Sequence, residues 1–308
     1  MAFELSAFNE AFPWFFGVVS FAFGAIVGSF LNVCIYRIPK GESVVHPGSH
    51  CACGKPISWF DNIPIFSWLI LRGKARCCGR AYGMRYPAVE LLTALLFLGA
   101  WASFEPAKAC VIMFFFATLI CATFVDFDHM IIPDRFSIGG AVAGLILSAA
   151  VPALHGEANE IFMLASLKSA TTGLTGMLIG SAVVLWIALI AEVVLKKEAM
   201  GFGDVKLMGS IGAFCGWKGA VFSIFGGAVL GIIAFGVWMI VSRLRGKETE
   251  PKPAPELTPD GETPSEPGLG VPIPFGPMLA GGAVIYLLWA SPFVDDYFAS
   301  IATLLAIE

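Results

Sequence analysis

The sequence lacks the motifs of the common hydrolases. It contains no G-x-S-x-G nucleophile elbow, no H-E-x-x-H zinc helix and no P-loop. None of its four histidines sits deep in an apolar run. The sequence therefore gives no support for a serine protease or a metalloprotease.

Charged residues are also scarce, at 14% of the 308 residues, whereas 57% are hydrophobic. The mean hydropathy of +0.80 lies far above that of a soluble domain. Lysine and arginine occur in short loops rather than in one basic patch, so nucleic acid is not an expected partner. The first ten residues, MAFELSAFNE, lack the basic region of a signal peptide, and the apolar run after them is predicted to be a retained transmembrane helix.

Long apolar runs dominate what is present. A membrane helix needs about 20 apolar residues, and such runs recur along nearly the whole chain. We therefore predict an all-α polytopic membrane protein of about eight transmembrane helices in a lipid bilayer. The runs are 11–33, 86–104, 109–125, 136–154, 171–195, a short sixth at 205–216, 220–241 and 275–290.

The polar segments between these runs suggest a domain organisation. Residues 37–85 are rich in Gly, Pro, Lys and Arg and are predicted to form a small extramembrane domain, while the Pro/Glu/Thr-rich stretch before the last run is predicted to be a disordered loop. The predicted units are 1–36, the first helix; 37–85, the small domain; 86–245, the transmembrane core; 246–274, the loop; and 275–308, the last helix and the C-terminal tail.

The loops on the two sides of the membrane differ in basic residues. Only Lys108, Lys168 and Lys218 fall on one side, and the positive-inside rule assigns the other side to the cytoplasm. Both chain termini are then expected outside the cytoplasm. The same topology predicts that Asp126 and Asp204 lie on the cytoplasmic side.

Two acidic motifs stand at the edges of apolar runs, DFDHMIIPD at 126–134 and GFGDVK at 201–206. A charged carboxylate in hydrocarbon costs about 2.5–3.5 kcal/mol on insertion scales, so acids in such places are candidates for function. The alternative is that Asp126, Asp128 and Asp134 are helix N-caps. Asp204 follows Gly201 and Gly203, whose backbone freedom favours a loop that can close over a bound molecule.

Two aspartates brought within a few ångströms cannot both ionise, so one keeps a proton while the other is charged. Such a pair can activate water for attack on a carbonyl. The sequence therefore predicts an aspartic peptidase at the membrane edge. Lys206 is expected either to bias Asp204 toward ionisation or to bind lipid phosphate. Glu90, inside the second run, is expected to pair with a basic group or to line the site.

Two other classes compete with this prediction. Intramembrane carboxylates also serve as proton relays in transporters. Against a transporter, the acids stand at the ends of runs, repeated halves are not evident and a cysteine domain has no part in permeation. A structural scaffold whose aspartates cap helices would leave GFGDVK unexplained.

Four of the eight cysteines share the polar segment 37–85, which in a reducing compartment suggests a metal rather than disulfides. They form one Cys-Ala-Cys group and one adjacent pair, whereas two C-x-x-C groups are the usual zinc signal. His50, three residues before the second cysteine, is a possible substitute ligand. The cysteines are Cys51, Cys53, Cys77 and Cys78.

Taken together, these residues resemble the type IV prepilin peptidases, aspartic proteases of the bacterial inner membrane. The resemblance covers nearly the whole chain, and the GxGD element with an upstream aspartate is its most specific part. It implies that Asp126 and Asp204 are catalytic, with Asp128 as the second choice for the first of them. The motifs are GSFLNVCIYRIP at 28–39, DNIPIFSWLILRGKARCCG at 61–79, RYPAVEL at 85–91, DFDHMIIPD, GFGDVKL and IPFGP at 273–277.

The resemblance implies cleavage of prepilin and pseudopilin leaders after a glycine on the cytoplasmic side. In many members, S-adenosylmethionine then methylates the new amino terminus. Many members carry two C-x-x-C pairs in the domain that corresponds to 37–85, and this chain departs from that pattern. A structural zinc is nevertheless expected on the four cysteines. By mechanism, no residue of the sequence marks a pocket for S-adenosylmethionine.

Overall fold

A computed structural model describes residue 12 and residues 14–51, 53–196, 200–244 and 274–305. Within these ranges the chain is helical, and β structure is limited to two isolated bridges, His50 with Pro56 and Lys74 with Ala81. The α-helices are α1 (Phe15–Arg37), α2 (Phe66–Ile70), α3 (Arg85–Ser103), α4 (Pro106–His129), α5 (Asp134–Ala150), α6 (Phe162–Leu195), α7 (Phe202–Leu244), α8 (Gly276–Ile285) and α9 (Ser291–Leu305).

Three 3-10 turns, Ile38–Lys40, Trp59–Asn62 and Pro152–His155, lie between helices, and a π-helical turn, Tyr286–Ala290, joins α8 to α9. In the described part of the chain, six helical segments are long and apolar enough to cross a membrane. They contain α1, α3, α4, α6, α7 and the continuous α8–α9 segment. The protein is therefore a multi-pass membrane protein, as predicted.

Two further membrane helices come from α5 and from a reversal inside α7. α5 has 17 residues and connects the end of α4 to the turn before α6. Within α7, Gly216 has φ 67° and ψ 179°, a conformation outside the helix that glycine adopts most readily. A Cβ built on Gly180 would lie 2.9 Å from the Met208 carbonyl oxygen and 3.1 Å from the Ala220 Cβ. Because these contacts lie on opposite sides of Gly216, the chain turns back there, and α7 consists of two antiparallel arms.

This reversal explains why the sequence shows separate runs at 205–216 and 220–241. With α5 and the two arms of α7, the bundle has the approximately eight membrane helices that were predicted. The first helix begins and ends four residues later than its predicted run, since it covers Phe15–Arg37 instead of 11–33. The predicted disordered loop 246–274 lies outside the described residues except for its last residue.

The core of the bundle forms around α4. Its side chains Ile112, Phe115 and Phe116 are fully buried. Phe115 stacks on Phe214 of the first α7 arm, with ring centroids 4.3 Å apart and an angle of 19° between the planes. Such a pair stabilises helix contacts by about 0.5–1.5 kcal/mol beyond the burial of area. Among the six candidate membrane helices, α4 is therefore the one most buried inside the bundle.

Glycines permit the closest helix contacts. A Cβ on Gly24 of α1 would lie 2.7 Å from the Ala94 Cα of α3, and one on Gly176 of α6 would overlap the carbonyl oxygen of Gly212 in α7. Membrane helices associate through such backbone contacts because lipid gives them little hydrophobic drive to associate. The contacts fix α1 on α3 and α6 on α7.

One end of the bundle brings together the start of α3 and the end of α4. The Arg85 guanidinium, at the start of α3, lies 2.7 Å from Asp128 Oδ1, near the end of α4. The segment 38–84, which joins α1 to α3, is thus at the same end as the acidic motif 126–134. We call this end the acidic end.

Candidate active site and cysteine cluster

Asp126 lies in the last turn of α4, and only 6% of its surface is exposed. The backbone N–H of Gly276, at the start of α8, interacts with its carboxylate. A Cβ on Gly276 would lie 2.6 Å from Asp126 Oδ2, so no side chain fits between them. The amino-terminal end of α8 therefore holds this carboxylate in position, where helix amides favour negative charge.

Asp204 lies in the first turn of α7 and is 8% exposed. The expectation that glycines would place it in a loop is wrong, because the helix already begins at Phe202. The buried side chains Leu207 and Met208 anchor this turn in the core. Packing of the apolar residues that follow outweighs the unfavourable helix propensity of glycine, which is about 1 kcal/mol.

The Asp204 carboxylate lies close enough to Asp126 for their charges to interact. Ile132, from the motif 126–134, fills the space between the two neighbouring glycines. A Cβ on Gly203 would lie 3.3 Å from Ile132 Cβ, and one on Gly276 would lie 3.0 Å from Ile132 Cδ1. Three motifs that are far apart in sequence thus converge on one isoleucine.

The other acids of the two motifs have basic partners. Asp128 binds Arg85, which also contacts the Phe124 carbonyl oxygen at 3.4 Å. Asp134 Oδ1 lies 2.7 Å from the ammonium of Lys206. Lys206 therefore forms an ion pair that neither of its two predicted roles included.

The N-cap interpretation is wrong for the acids of 126–134. Asp126 and Asp128 lie at the carboxyl-terminal end of α4. Asp134 is the first residue of α5, and no side chain caps that helix.

Glu90 has a partner that the sequence did not suggest. Its carboxylate is buried in α3 and accepts a hydrogen bond of 2.7 Å from the backbone N–H of Ile65. Ile65 has φ 65° and ψ −53°, and the Phe66 N–H bonds to the Pro64 carbonyl 2.6 Å away, which makes a strained γ-turn. Glu90 thus attaches the segment 38–84 to α3.

The four predicted cysteines converge although they come from two separate hairpins. Cys51 Sγ lies 3.6 Å from Cys78 Sγ, Cys53 Sγ lies 3.4 Å from Cys77 Sγ, and all four sulfurs lie within 4.8 Å of one another. Four thiolates at about 2.3 Å around a tetrahedral zinc need sulfurs slightly less than 4 Å apart, so the set fits this ion. His50 is not part of the group, because its Nδ1 contacts the Gly48 carbonyl oxygen at 3.1 Å.

The thiols influence one another's ionisation. The backbone amide of Cys53 and the thiols of Cys77 and Cys78 lower the pKa of Cys51 to about 7. Hydrogen bonds to Cys51 and Cys53 raise the pKa of Cys77 to about 12. A bound dication would favour the ionised form of all four thiols, because metal ligands bind as thiolates.

A cavity of about 470 Å³ lies between α4 and α5. The residues that line it are Cys110, Val111, Phe114, Ala143, Ile146 and Leu147. S-adenosylmethionine carries a sulfonium, an amino acid group and an adenosine, and these residues offer no charged partner to any of them. The cavity does not fit that cofactor.

Comparison with known proteins identifies the family. Residues 22–104 match the bacterial peptidase A24 N-terminal domain, and residues 113–236 match the type IV leader peptidase family. Together these ranges cover more than half of the chain. No solved structure matches the fold significantly.

Curated relatives agree with this assignment. A prepilin leader peptidase/N-methyltransferase of Myxococcus xanthus is 34% identical over 73% of this chain and 66% of its own length. Proteins of the same description from Pseudomonas aeruginosa, 32% identical over 92% of this chain and 94% of the relative, and from Aeromonas salmonicida, 30% identical over 94% and 96%, align over almost their whole lengths. The chain belongs to the type IV leader peptidase family.

Proposed function

We propose that this protein is a membrane aspartic endopeptidase that removes the leader peptides of type IV prepilins and pseudopilins after a glycine. Asp126 and Asp204 are its catalytic pair. The observation that carries the proposal is the approach of these two buried carboxylates, from different helices, to within the range of electrostatic interaction. Their neighbours Asp128 and Asp134 are neutralised by ion pairs, which leaves only these two to act together.

The reaction needs one proton on the pair. The ionised aspartate removes a proton from water while the water oxygen attacks the scissile carbonyl carbon. The protonated aspartate donates to the carbonyl oxygen, which gives a neutral tetrahedral intermediate. When this intermediate collapses, the C–N bond breaks and the aspartate that took the water proton gives it to the leaving amine. The other aspartate takes the proton of one hydroxyl as the carbonyl reforms, so the pair again carries one proton. Gly276 holds Asp126 and Gly203 supports the start of α7, so these groups position the reaction without entering it.

We further propose that the acidic end faces the cytoplasm and that the membrane is the bacterial inner membrane. Of the lysine and arginine residues that the structure describes, all but Lys108, Lys168 and Lys218 lie in the segments that connect helices at the acidic end or in the helix ends next to them. Basic residues are retained on the cytoplasmic side during insertion. The leader of a substrate would then be cleaved at that surface.

Zinc and S-adenosylmethionine belong to the same proposal. Cys51, Cys53, Cys77 and Cys78 would hold a structural zinc, which would tie the two hairpins of the small domain together. The N-methyltransferase activity is supported by the double description of the relatives, and S-adenosylmethionine would be the methyl donor.

The test uses purified protein in liposomes, a prepilin and S-adenosylmethionine, with product masses read by mass spectrometry. Wild type should release the leader, whereas Asp126→Asn and Asp204→Asn should not, and an added methyl mass would establish the second activity. Intact prepilin with wild type, or cleavage by either variant at the wild-type rate, would overturn the peptidase assignment. The competing prediction, a transporter with a proton relay, is not favoured because both acids lie at the ends of their helices.

A further inference from the structure

A short segment of the small domain exposes an unusual number of apolar side chains. We define Trp59–Ile70 as the apolar segment, which comprises the 3-10 turn Trp59–Asn62 and helix α2. The exposed fractions of its side chains are Trp59 81%, Phe60 47%, Ile63 42%, Phe66 62%, Leu69 57% and Ile70 73%. A contiguous apolar surface outside the membrane core marks an interaction site.

The exposure follows from how α2 is held. Ser67, on one side, donates to the Phe60 carbonyl oxygen at 3.1 Å, and Trp68 Nε1 donates to the Tyr82 carbonyl oxygen at 3.3 Å. Phe66, Leu69 and Ile70 occupy positions i, i+3 and i+4, which share the other face of the helix. The polar anchors thus turn this apolar face outward.

The attachment to Glu90 fixes the depth of the segment. Glu90 lies one and a half turns into the membrane helix α3, about 7 Å below its first residue. Since the Ile65 N–H bonds to the Glu90 carboxylate at 2.7 Å, and the side chains of a helix point toward its amino-terminal end, the backbone at Ile65 lies beside the first two turns of α3. This level corresponds to the headgroup region next to the hydrocarbon rather than to bulk water.

The charged side chains of the small domain indicate what kind of surface the apolar segment contacts. Residues 38–84 contain six basic and two acidic side chains. One acid, Asp61, is already bound to Arg76. Arg72 and Lys74 lie two and four residues after the apolar segment and are exposed. They have no acidic partner within the part of the chain that the structure describes. Apolar side chains beside unpaired basic ones are the pattern that binds anionic lipid surfaces.

We propose that the apolar segment lies in the headgroup layer of the adjacent leaflet, with Phe66, Leu69 and Ile70 among the acyl chains and with Arg72 and Lys74 on anionic phosphates. The small domain is then held by lipid on one face and by Glu90 from within. This function of the segment is independent of the peptidase assignment.

Photocross-linking in the full-length protein tests the contact. A benzophenone amino acid at Ile70 is irradiated in nanodiscs that contain phosphatidylglycerol and phosphatidylcholine, and the adducts are identified by mass spectrometry. Lipid adducts at Ile70 are expected, with phosphatidylglycerol enriched at least threefold over its share of the lipid. The variant Arg72→Gln/Lys74→Gln should remove the enrichment while adducts persist, and Lys168→Gln, on the opposite side, should not change it.

Other cross-linking partners of Ile70 would contradict the lipid contact. Cross-linking of Ile70 mainly to a second copy of the chain would assign the surface to an oligomer, and cross-linking mainly to an added prepilin would assign it to the substrate. Either result, or the absence of lipid adducts, would overturn the proposal. As a second measurement, Phe66→Ser/Ile70→Ser should increase hydrogen exchange of peptides from the apolar segment in nanodiscs, whereas Val45→Ser, which changes an equally exposed side chain outside it, should not.

Discussion

Gly276 lies directly against the carboxylate of Asp126, since a Cβ at this position would stand 2.6 Å from Oδ2 and 3.4 Å from Cγ. Real Cβ atoms essentially never approach other atoms below 3.0 Å. The start of α8 and the end of α4 therefore meet at a contact that only glycine permits.

Replacing this glycine should impair cleavage more than folding. In Gly276→Ala the methyl group displaces either Asp126 or the first turn of α8, and a displacement of about 1 Å can cost about 100-fold in rate. We expect a loss of that order in prepilin cleavage with normal membrane insertion. Gly231→Ala is the matched control, because its Cβ would lie 3.8 Å from Met278 Cγ, an ordinary contact. Equal rates for the two variants would contradict the positioning role.

The partners of the two nearby aspartates separate their roles. Asp126→Asn should abolish cleavage, because an amide can neither accept the proton of water nor share one with Asp204. Asp128→Asn loses an ion pair whose side chains are 40% and 33% exposed, which is worth at most about 1 kcal/mol. Cleavage rates of the two proteins, at matched amounts of folded enzyme, decide the matter. We expect Asp128→Asn to cleave prepilin at the wild-type rate. If this variant is inactive, the catalytic role belongs to Asp128 instead.

Metal analysis of the purified protein tests the cysteine cluster. We expect about one zinc per chain, bound by the four thiolates. Cys53→Ser should lower the zinc content and the melting temperature, because the two hairpins lose the ligand that joins them. Cys110→Ser removes an exposed thiol outside the cluster and should change neither. Full zinc occupancy in Cys53→Ser would rule out a four-cysteine site.

The pH dependence of stability should report His155, in the turn Pro152–His155 at the opposite end of the bundle. Burial lowers the pKa of its imidazole to about 4, the Ala213 carbonyl raises it, and the Lys108 ammonium lowers it. Above pH 6.5 both folded and unfolded forms are neutral. As the pH falls from 6.5 to 4, mainly the unfolded chain binds the proton, so stability decreases, and below 4 the loss is complete.

The size of this effect is up to about 3 kcal/mol. Thermal unfolding in detergent between pH 7.5 and 4 measures it as the difference between wild type and His155→Gln, whose amide does not titrate. The variant should lose less stability over this range, whereas His129→Gln, an exposed histidine at the acidic end, should follow wild type. Parallel curves for wild type and His155→Gln would show that the imidazole is not held neutral by burial.

The sequence located the helices well because a bilayer imposes a length on every apolar run. The run 109–125 falls inside α4, and the gap between 205–216 and 220–241 marks the reversal at Gly216. The structure brings together the two acids and the four cysteines that the sequence singles out, whereas their roles stay predictions.

Contacts that the backbone makes could not be predicted from the sequence. Glu90 is bound by the N–H of Ile65, and no side-chain type marks an available amide 25 positions earlier. Gly276 belongs to a motif that the family resemblance had singled out, but its contact with Asp126 depends on two helix ends that meet in space. Local glycine propensity alone predicts a loop at Asp204, whereas the packing of Leu207 and Met208 makes this turn helical.

The reversal at Gly216 also limits how deep Asp204 lies. At about 1.5 Å per residue, the helical arm from Gly216 back to Asp204 rises about 18 Å, whereas the hydrocarbon layer is about 30 Å thick. Gly216 packs beside His155, in a turn between membrane helices, so the far tip of the arm is at the opposite surface. Asp204 consequently lies roughly 10 Å short of the near surface of an unperturbed bilayer. Hydrolysis at that depth requires the membrane to be locally thinned around the acidic end, or a hydrated funnel to open there, so that bulk water reaches the scissile bond.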